Sequence, residues 1–231
     1  MNNMKIISSL LVILTLGCKE NNPDAKIVRQ EQIKVKNDSV LTVKVDTTLT
    51  KKDKIKVIQE LNQIIPDTTI NKKLFLSNYE TLPRFYSNYK SIATIDRIRE
   101  SPVVIFASKS KIEYLIAYQY EGSAKNSFDC FEIGYLKSEQ NLNKVNAYIT
   151  SENNFKTETD LSLGLTFEGL ESIKGSNYEK TEKGNLTILT YRNTDLETSS
   201  FLKRYNMPSY FMEFTLKENK VIKIKFGFDY P

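Results

Sequence analysis

The chain has no histidine and no tryptophan, two cysteines and only eight glycines in 231 residues. Each shortage closes a class of chemistry. Without histidine there is no Ser-His-Asp or Cys-His catalysis and no imidazole metal ligand. The scattered glycines form no phosphate-cradling loop, and no EF-hand spacing is present. Cys18 ends an N-terminal apolar run, which leaves Cys130 as the one cysteine beyond it. A lone thiol makes no intramolecular disulfide, so the fold must rest on a hydrophobic core. No later apolar run approaches the ~20 residues that a spanning helix needs. Excess charge is scarce too. There are 33 basic and 28 acidic residues, a net +5 that is too mild to argue for nucleic acid. Lys217, Lys220, Lys223 and Lys225 cluster near the C-terminus and read as a solvated strand face.

What is present begins at the N-terminus. Lys5 precedes Ile6 to Leu16, an apolar stretch broken only by Ser8, Ser9 and Thr15. That length suits the core of a secretory signal. Gly17-Cys18 follows, and the segment resembles the lipobox of bacterial lipoproteins. It departs from that pattern at Thr15, where the family prefers leucine. The resemblance implies a diacylglyceryl group on the Cys18 thiol, cleavage just before Cys18, and acylation of the new amine. Residues 1–17 would then be a signal peptide. Removing them takes away Lys5 alone among the charges and leaves about +4. The implied location is the cell envelope, anchored by lipid in the membrane, with the outer membrane as the expected site.

Residues 18–49 are rich in Asn, Asp, Lys, Gln and Thr, and read as a flexible tether. Asp38-Ser39-Val40, Asp46-Thr47-Thr48 and Asp67-Thr68-Thr69 resemble the acceptor tripeptide of Bacteroidota-type O-glycosylation. That makes Ser39, Thr47 and Thr68 candidate glycan sites; ordinary linker chemistry is the alternative.

The fold expected beyond the tether is α+β. Thr50 and Asp53 fit a capping pattern, Ile55, Ile58, Leu61 and Ile65 follow at helical spacing, and Pro66 stops the helix. Residues 71–82 and 86–99 suggest further helical turns, the second through Ile92, Ile95 and Ile98. The period then changes. Val103–Ala107, Ile112–Tyr120 and Phe128–Leu136 read as antiparallel strands, with short strand pieces at 144–150 and near Phe155. Thr166 caps a helix carrying Phe167, Leu170 and Ile173 on one face, and Gly175 closes it. Strands at Leu186–Arg192, Tyr210–Lys217 and Val221–Phe228 follow, the last two joined as a hairpin. Strict alternation puts Ile222, Ile224, Phe226 and Phe228 on one face, with Lys223 and Lys225 on the other. Two regions result: 50–158, and a helix-plus-three-strand unit at 159–231. Whether they share one core is open at this point.

Leu161, Gly164, Thr166, Leu170 and Gly175 occupy the positions of the "LxxGMTxxEVxxxLG" helix. The segment 161–228 is similar to small outer-membrane lipoproteins of the SmpA/OmlA (BamE) type and to the β-lactamase-inhibitor-protein fold. It departs from them at Lys174, where they have an apolar residue, and at Gly169, where they have glutamate. The resemblance implies a short helix followed by antiparallel strands; assembly-factor function comes only by analogy.

Candidate functional groups are few. Cys130 lies in an expected strand and lacks a base, so it reads as a small buried residue. Asp129 and Glu132 fall on opposite strand faces and make a poor acid/base pair. Glu152, Glu158 and Asp160 share a face if extended, but a solvated loop is the simpler reading. Tyr79, Arg84 and Tyr86 stand out as contact candidates beside Phe85 and Tyr89, which fit a core. No cofactor or metal is expected. Three readings follow, in this order. The first is a non-enzymatic interaction lipoprotein with an envelope protein partner. The second is a carrier of a small glycan or lipid, and the third a carboxylate-based hydrolase.

Overall fold

Val103–Ala107, strand β3, is buried at all five positions, which is why its sequence is apolar without alternation. Residues 64–96, 98–139, 142 and 147–229 are described in this computed structural model. The expected helix at 50–65 lies outside them except at Ile64 and Ile65, which are not helical. The signal segment and tether, with Cys18, Ser39 and Thr47, lie wholly outside.

The described fold is α+β and mostly sheet. A small hairpin pairs β1 (Thr69–Ile70) with β2 (Leu74–Phe75). The main sheet adds β4 (Glu113–Tyr118), β5 (Cys130–Tyr135), β6 (Tyr148–Ile149), β7 (Glu179–Lys183), β8 (Leu186–Asn193), β9 (Ser209–Lys217) and β10 (Lys220–Asp229). Its order is β6-β3-β4-β5-β10-β9-β8-β7. Every pairing is antiparallel except β3 with β6. The two β-rich regions of the sequence therefore meet in one sheet, where β5 pairs with β10.

One face carries the larger core. Val104, Phe106, Leu115, Phe131, Phe226, Met212, Phe214 and Tyr191 pack there with Ile70, Leu74, Phe155, Leu161 and residues of three short helices. Those helices are α1 (Leu82–Phe85), α2 (Phe167–Lys174) and α3 (Ser200–Tyr205). They contribute Leu82 and Phe85, Leu170, and Leu202, all buried. Each such side chain stabilises the fold by about 1.5–3 kcal/mol relative to exposure. The opposite face carries a smaller cluster over β3, β4 and β5, which also takes in Phe211 of β9. Val103, Ile105, Tyr114, Ile116, Tyr118 and Cys130 pack there against Ile95, Ile98, Leu136 and Leu142.

The structure corrects several expectations. Of the helical turns expected over 71–82 and 86–99, the described residues show two single 3-10 turns, Tyr79–Thr81 and Tyr89–Ser91, and the start of α1 at Leu82, while β2 takes Leu74–Phe75. Ile92 and Ile95 point to different cores because the chain there is extended, and an odd separation then reverses the face. Phe155 is buried but lies in no strand. In β10 the register shifts between Val221 and Lys223, a bulge that takes Ile222 out of the alternation. Val221 joins Ile224, Phe226 and Phe228 in its place. The β9–β10 turn is Glu218-Asn219, with φ of 50° and 62°, the left-handed geometry of a two-residue hairpin.

Along α2, Lys174 is buried and Ile173 is 38% exposed. The stripe thus runs through Lys174, four residues beyond Leu170, rather than through Ile173. β7 and α3 were not anticipated. β7 (EKTEK) is exposed throughout and makes the helix-plus-three-strand unit four-stranded. Its charges suit a sheet edge that must not pair with foreign strands.

Candidate functional site

On the outer face of the sheet, Tyr114 and Tyr118 flank Glu132 diagonally. The register sets this: Tyr118 faces Cys130, Ile116 faces Glu132, and Tyr114 faces Gly134. The Tyr114 hydroxyl donates to Glu132 Oε1 at 2.9 Å, and the Tyr118 hydroxyl to Oε2 at 2.6 Å. Gly134 makes the first bond possible. A Cβ there would lie 2.5 Å from the Tyr114 ring carbon Cζ and from its hydroxyl oxygen.

Arg99 completes the arrangement from the segment ahead of β3. Its Nη2 donates to Glu132 Oε1 at 2.9 Å and lies 3.5 Å from Glu139. Its Nε donates to the Tyr118 oxygen at 3.3 Å. Burial alone would raise the Glu132 carboxyl pKa, but the Tyr118 hydroxyl and the Arg99 guanidinium more than offset it and hold the pKa below its ordinary value. Burial opposes the Arg99 charge, and Glu132 more than compensates, so the guanidinium pKa is raised. Burial beside the Glu132 carboxylate pushes both tyrosines upward. Glu132 is therefore a charged, fully engaged carboxylate.

Next to this cluster is a concave cleft of about 520 Å³. Arg99, Ser101, Tyr118, Tyr120, Glu132 and Lys225 line it. Lys225 faces Glu132 across the β5–β10 pairing. Its ammonium stands 4.9 Å above the centre of the Tyr118 ring and 5.8 Å from that of Phe211. The expected solvated face is thus half-buried at Lys223 and Lys225, and exposed at Lys217 and Lys220. Behind the cleft, burial pushes the Cys130 thiol up to about 12, which makes it a poor nucleophile.

The contact candidates lie elsewhere. Tyr79 (56% exposed) and Arg84 sit in the turn at Tyr79–Thr81 and in α1. Tyr86 is half-buried against Phe106 and Tyr148, with ring centres 5.9 and 5.6 Å away. None of the three lines the cleft. Asp129 and Glu132 serve different partners: Asp129 accepts from Ser77 Oγ at 2.8 Å and also bonds Ser123. Each member of the acidic trio has its own partner. Glu152 bonds Lys73 and Asn71, Glu158 bonds Thr68, and Asp160 bonds Lys156. Among the described residues no group of three His, Cys, Asp or Glu is placed to hold a metal.

A second polar centre is structural. Lys174 Nζ lies 2.7 Å from Asp67 Oδ2 and donates to the Ile65 carbonyl at 2.7 Å, with both ionic side chains almost wholly buried. Asp67 also accepts from the Thr159 N–H and hydroxyl, at 3.1 and 2.8 Å. The Tyr210 hydroxyl donates to the Asp67 carbonyl at 2.6 Å and accepts from its N–H at 3.0 Å. Thr68 is half-buried beside this centre, and its hydroxyl donates to Glu158 at 3.0 Å.

Sequence reasoning missed Arg99, Tyr114, Tyr118 and Lys225 as a group. One signal was available: a glutamate inside a run expected to be buried requires a cation and donors. No protein-family model, curated protein or solved structure matches the chain.

Proposed function

We propose that this chain is a non-enzymatic binding protein, held at the bacterial cell envelope by lipidated Cys18, with the outer membrane as its site. The observation that supports binding over catalysis is the state of the groups at the cleft. Glu132 is held by two phenols and a guanidinium, and the Cys130 thiol is held protonated by burial. A hydrolase needs a carboxylate free to accept or give a proton, and this carboxylate is committed. What remains is a solvent-open concavity with aromatic walls and polar groups, the form of a small-ligand site. The lipid anchor rests on the Leu14–Cys18 resemblance. It is consistent with the described residues, where no helix is long and apolar enough to cross a membrane.

An envelope protein partner is the second reading. The exposed pair Tyr79 and Arg84, both typical anchor types, supports it. Affinity capture of the native acylated protein from envelope membranes, with native mass spectrometry, separates the two. A co-purified small molecule supports the cleft. A stable protein partner lost in Tyr79→Ala and Arg84→Ala variants supports the second reading. Neither one appearing would remove the case for a binding protein. A Cys18→Ser variant should lose its acyl mass and leave the membrane fraction; an unchanged distribution would refute the anchor.

A further inference from the structure

We infer that β7 is a docking edge for a second copy of this chain, and that two copies join edge to edge into one continuous sheet. β7 ends the main sheet, with β8 as its strand partner. Its five residues, Glu179-Lys180-Thr181-Glu182-Lys183, are all exposed. The hairpin turn decides which backbone groups are free. Gly184 (φ 62°) and Asn185 join β7 to β8, and Lys183 stands opposite Leu186. In a two-residue turn of this kind the closing pair is hydrogen-bonded, and bonded pairs then alternate along the ladder. Glu179, Thr181 and Lys183 therefore turn their N–H and C=O groups toward β8. Those of Lys180 and Glu182 point outward, and among the described residues no backbone bond from outside the hairpin reaches them. Such an edge is a template for a further strand.

Charge selects the strand. An antiparallel copy of β7 centred on Thr181 sets Glu179 against Lys183 and Lys180 against Glu182, twice each by symmetry. Every charged pair across the junction is then of opposite sign, which stabilises a cross-strand contact. The same register makes Lys180 and Glu182 the hydrogen-bonded pairs, where the free backbone groups point. Sliding the copy by one position sets outward groups against residues that face β8. Sliding it by two sets Lys180 against Lys180, or Glu182 against Glu182. The charges that keep other strands off this edge thus admit its own copy in one register, and the contact is self-complementary, as a two-fold dimer requires. On one face the junction also continues a row of side chains, since Thr215, Ile188 and Thr181 stand side by side across β9, β8 and β7. A five-residue edge buries less than the ~1,200 Å² of stable complexes, so the dimer is weak in solution. Anchoring of both copies in one membrane, as proposed above, raises their effective concentration; the pairing itself does not depend on the anchor.

Cross-linking of the full chain tests this, both in membranes and as concentrated purified protein. Thr181 pairs with itself at a non-hydrogen-bonded position, where side chains approach most closely and a disulfide fits. Thr181→Cys, oxidised with copper(II)-phenanthroline, should give a covalent dimer, while Lys125→Cys, on an exposed loop away from β7, should not. Adding Glu179→Lys and Glu182→Lys to Thr181→Cys sets like charges at every pair and should lower the yield about tenfold or more. Adding Lys180→Glu and Lys183→Glu instead should do the same. An equimolar mixture of the two reversed variants should recover a mixed dimer, because their charges are again opposite in the same register. High salt should weaken the wild-type contact. All variants should keep the wild-type melting temperature, because the substituted side chains are exposed. Thr181→Cys cross-linking no better than that of Lys125→Cys overturns the pairing. So does a yield that both charge reversals leave untouched, or a mixture that recovers nothing.

Discussion

Replacing Asp67 with alanine leaves the Lys174 ammonium inside the protein with the Ile65 carbonyl as its remaining partner among the described residues. A buried charge without its counter-ion is among the most costly defects a single substitution can make, about 3–5 kcal/mol. Chemical denaturation of Asp67→Ala should show a loss of that size. The double variant Asp67→Leu, Lys174→Met should recover most of it, since an apolar pair of similar volume needs no desolvation of charge. A double variant as unstable as the single one would mean that the Thr159 hydrogen bonds to the Asp67 carboxylate, not the ion pair, carry the site. Sequence alone made Asp67 part of a glycan acceptor and Lys174 a departure from the helix motif that the segment resembles, because each residue's partner lies more than a hundred positions away. Helical spacing does hold a clue. Lys174 falls four residues after Leu170, on the stripe that faces the core.

At the scale of elements, legibility followed burial. β3, β4, β5, β8, β9 and β10 were readable because at least one face of each packs into a core, and burial writes itself as apolar runs or alternation. β7 was invisible because an exposed edge strand carries charges and no apolar pattern. α3 was invisible because six residues give too short a period, although Ser199 caps it by accepting from the Leu202 N–H. Of the helical turns expected over 86–99 only the 3-10 turn Tyr89–Ser91 forms among the described residues; isoleucines spaced by three also suit an extended segment between two cores. The β4–β5 pair depends on one small residue. Gly134→Ala forces a methyl group into the Tyr114 ring, at backbone positions fixed by pairing on both sides of β5. Overpacking of this kind costs about 1–3 kcal/mol. It should also displace the Tyr114 hydroxyl from Glu132. The check is a crystal structure of the variant together with its melting temperature. A variant of wild-type stability with the Tyr114–Glu132 bond intact would show that the strands yield more easily than the close approach implies.

For the whole molecule, the Glu132 cluster ties the segment before β3 to the middle of the sheet, so its titration should appear in global stability. The direction follows from linkage. Burial acts to raise the Glu132 pKa, but its donors hold it below 4.5, the ordinary value, so the unfolded chain binds the proton more readily than the folded one. The stabilisation is fully present above that ordinary value and is lost as pH falls through the lower folded one. Glu113 works the other way: burial raises its pKa, so folding favours its protonated form in mild acid. Exposed carboxylates such as Asp160 and Asp195 are also held low by local hydrogen bonds, and they add to the acid slope. The total pH dependence is thus a sum over opposing groups, and the contribution of Glu132 is best isolated by difference. Glu132→Gln keeps the shape and most hydrogen bonds but removes the titrating charge. At neutral pH the variant should be less stable by about 2–3 kcal/mol, the value of charge-assisted bonds in a mostly buried pair. As pH falls below about 4.5, the wild type should lose stability faster than the variant, and the gap should narrow, because the other carboxylates cancel in the comparison. Urea unfolding of both proteins across that range reads the gap directly. A gap that stays constant into strong acid would mean that Glu132 is not the charged centre of this cluster. The cleft beside it would then have to be rebuilt around a neutral carboxyl, with Glu139 as the carboxylate partner of Arg99.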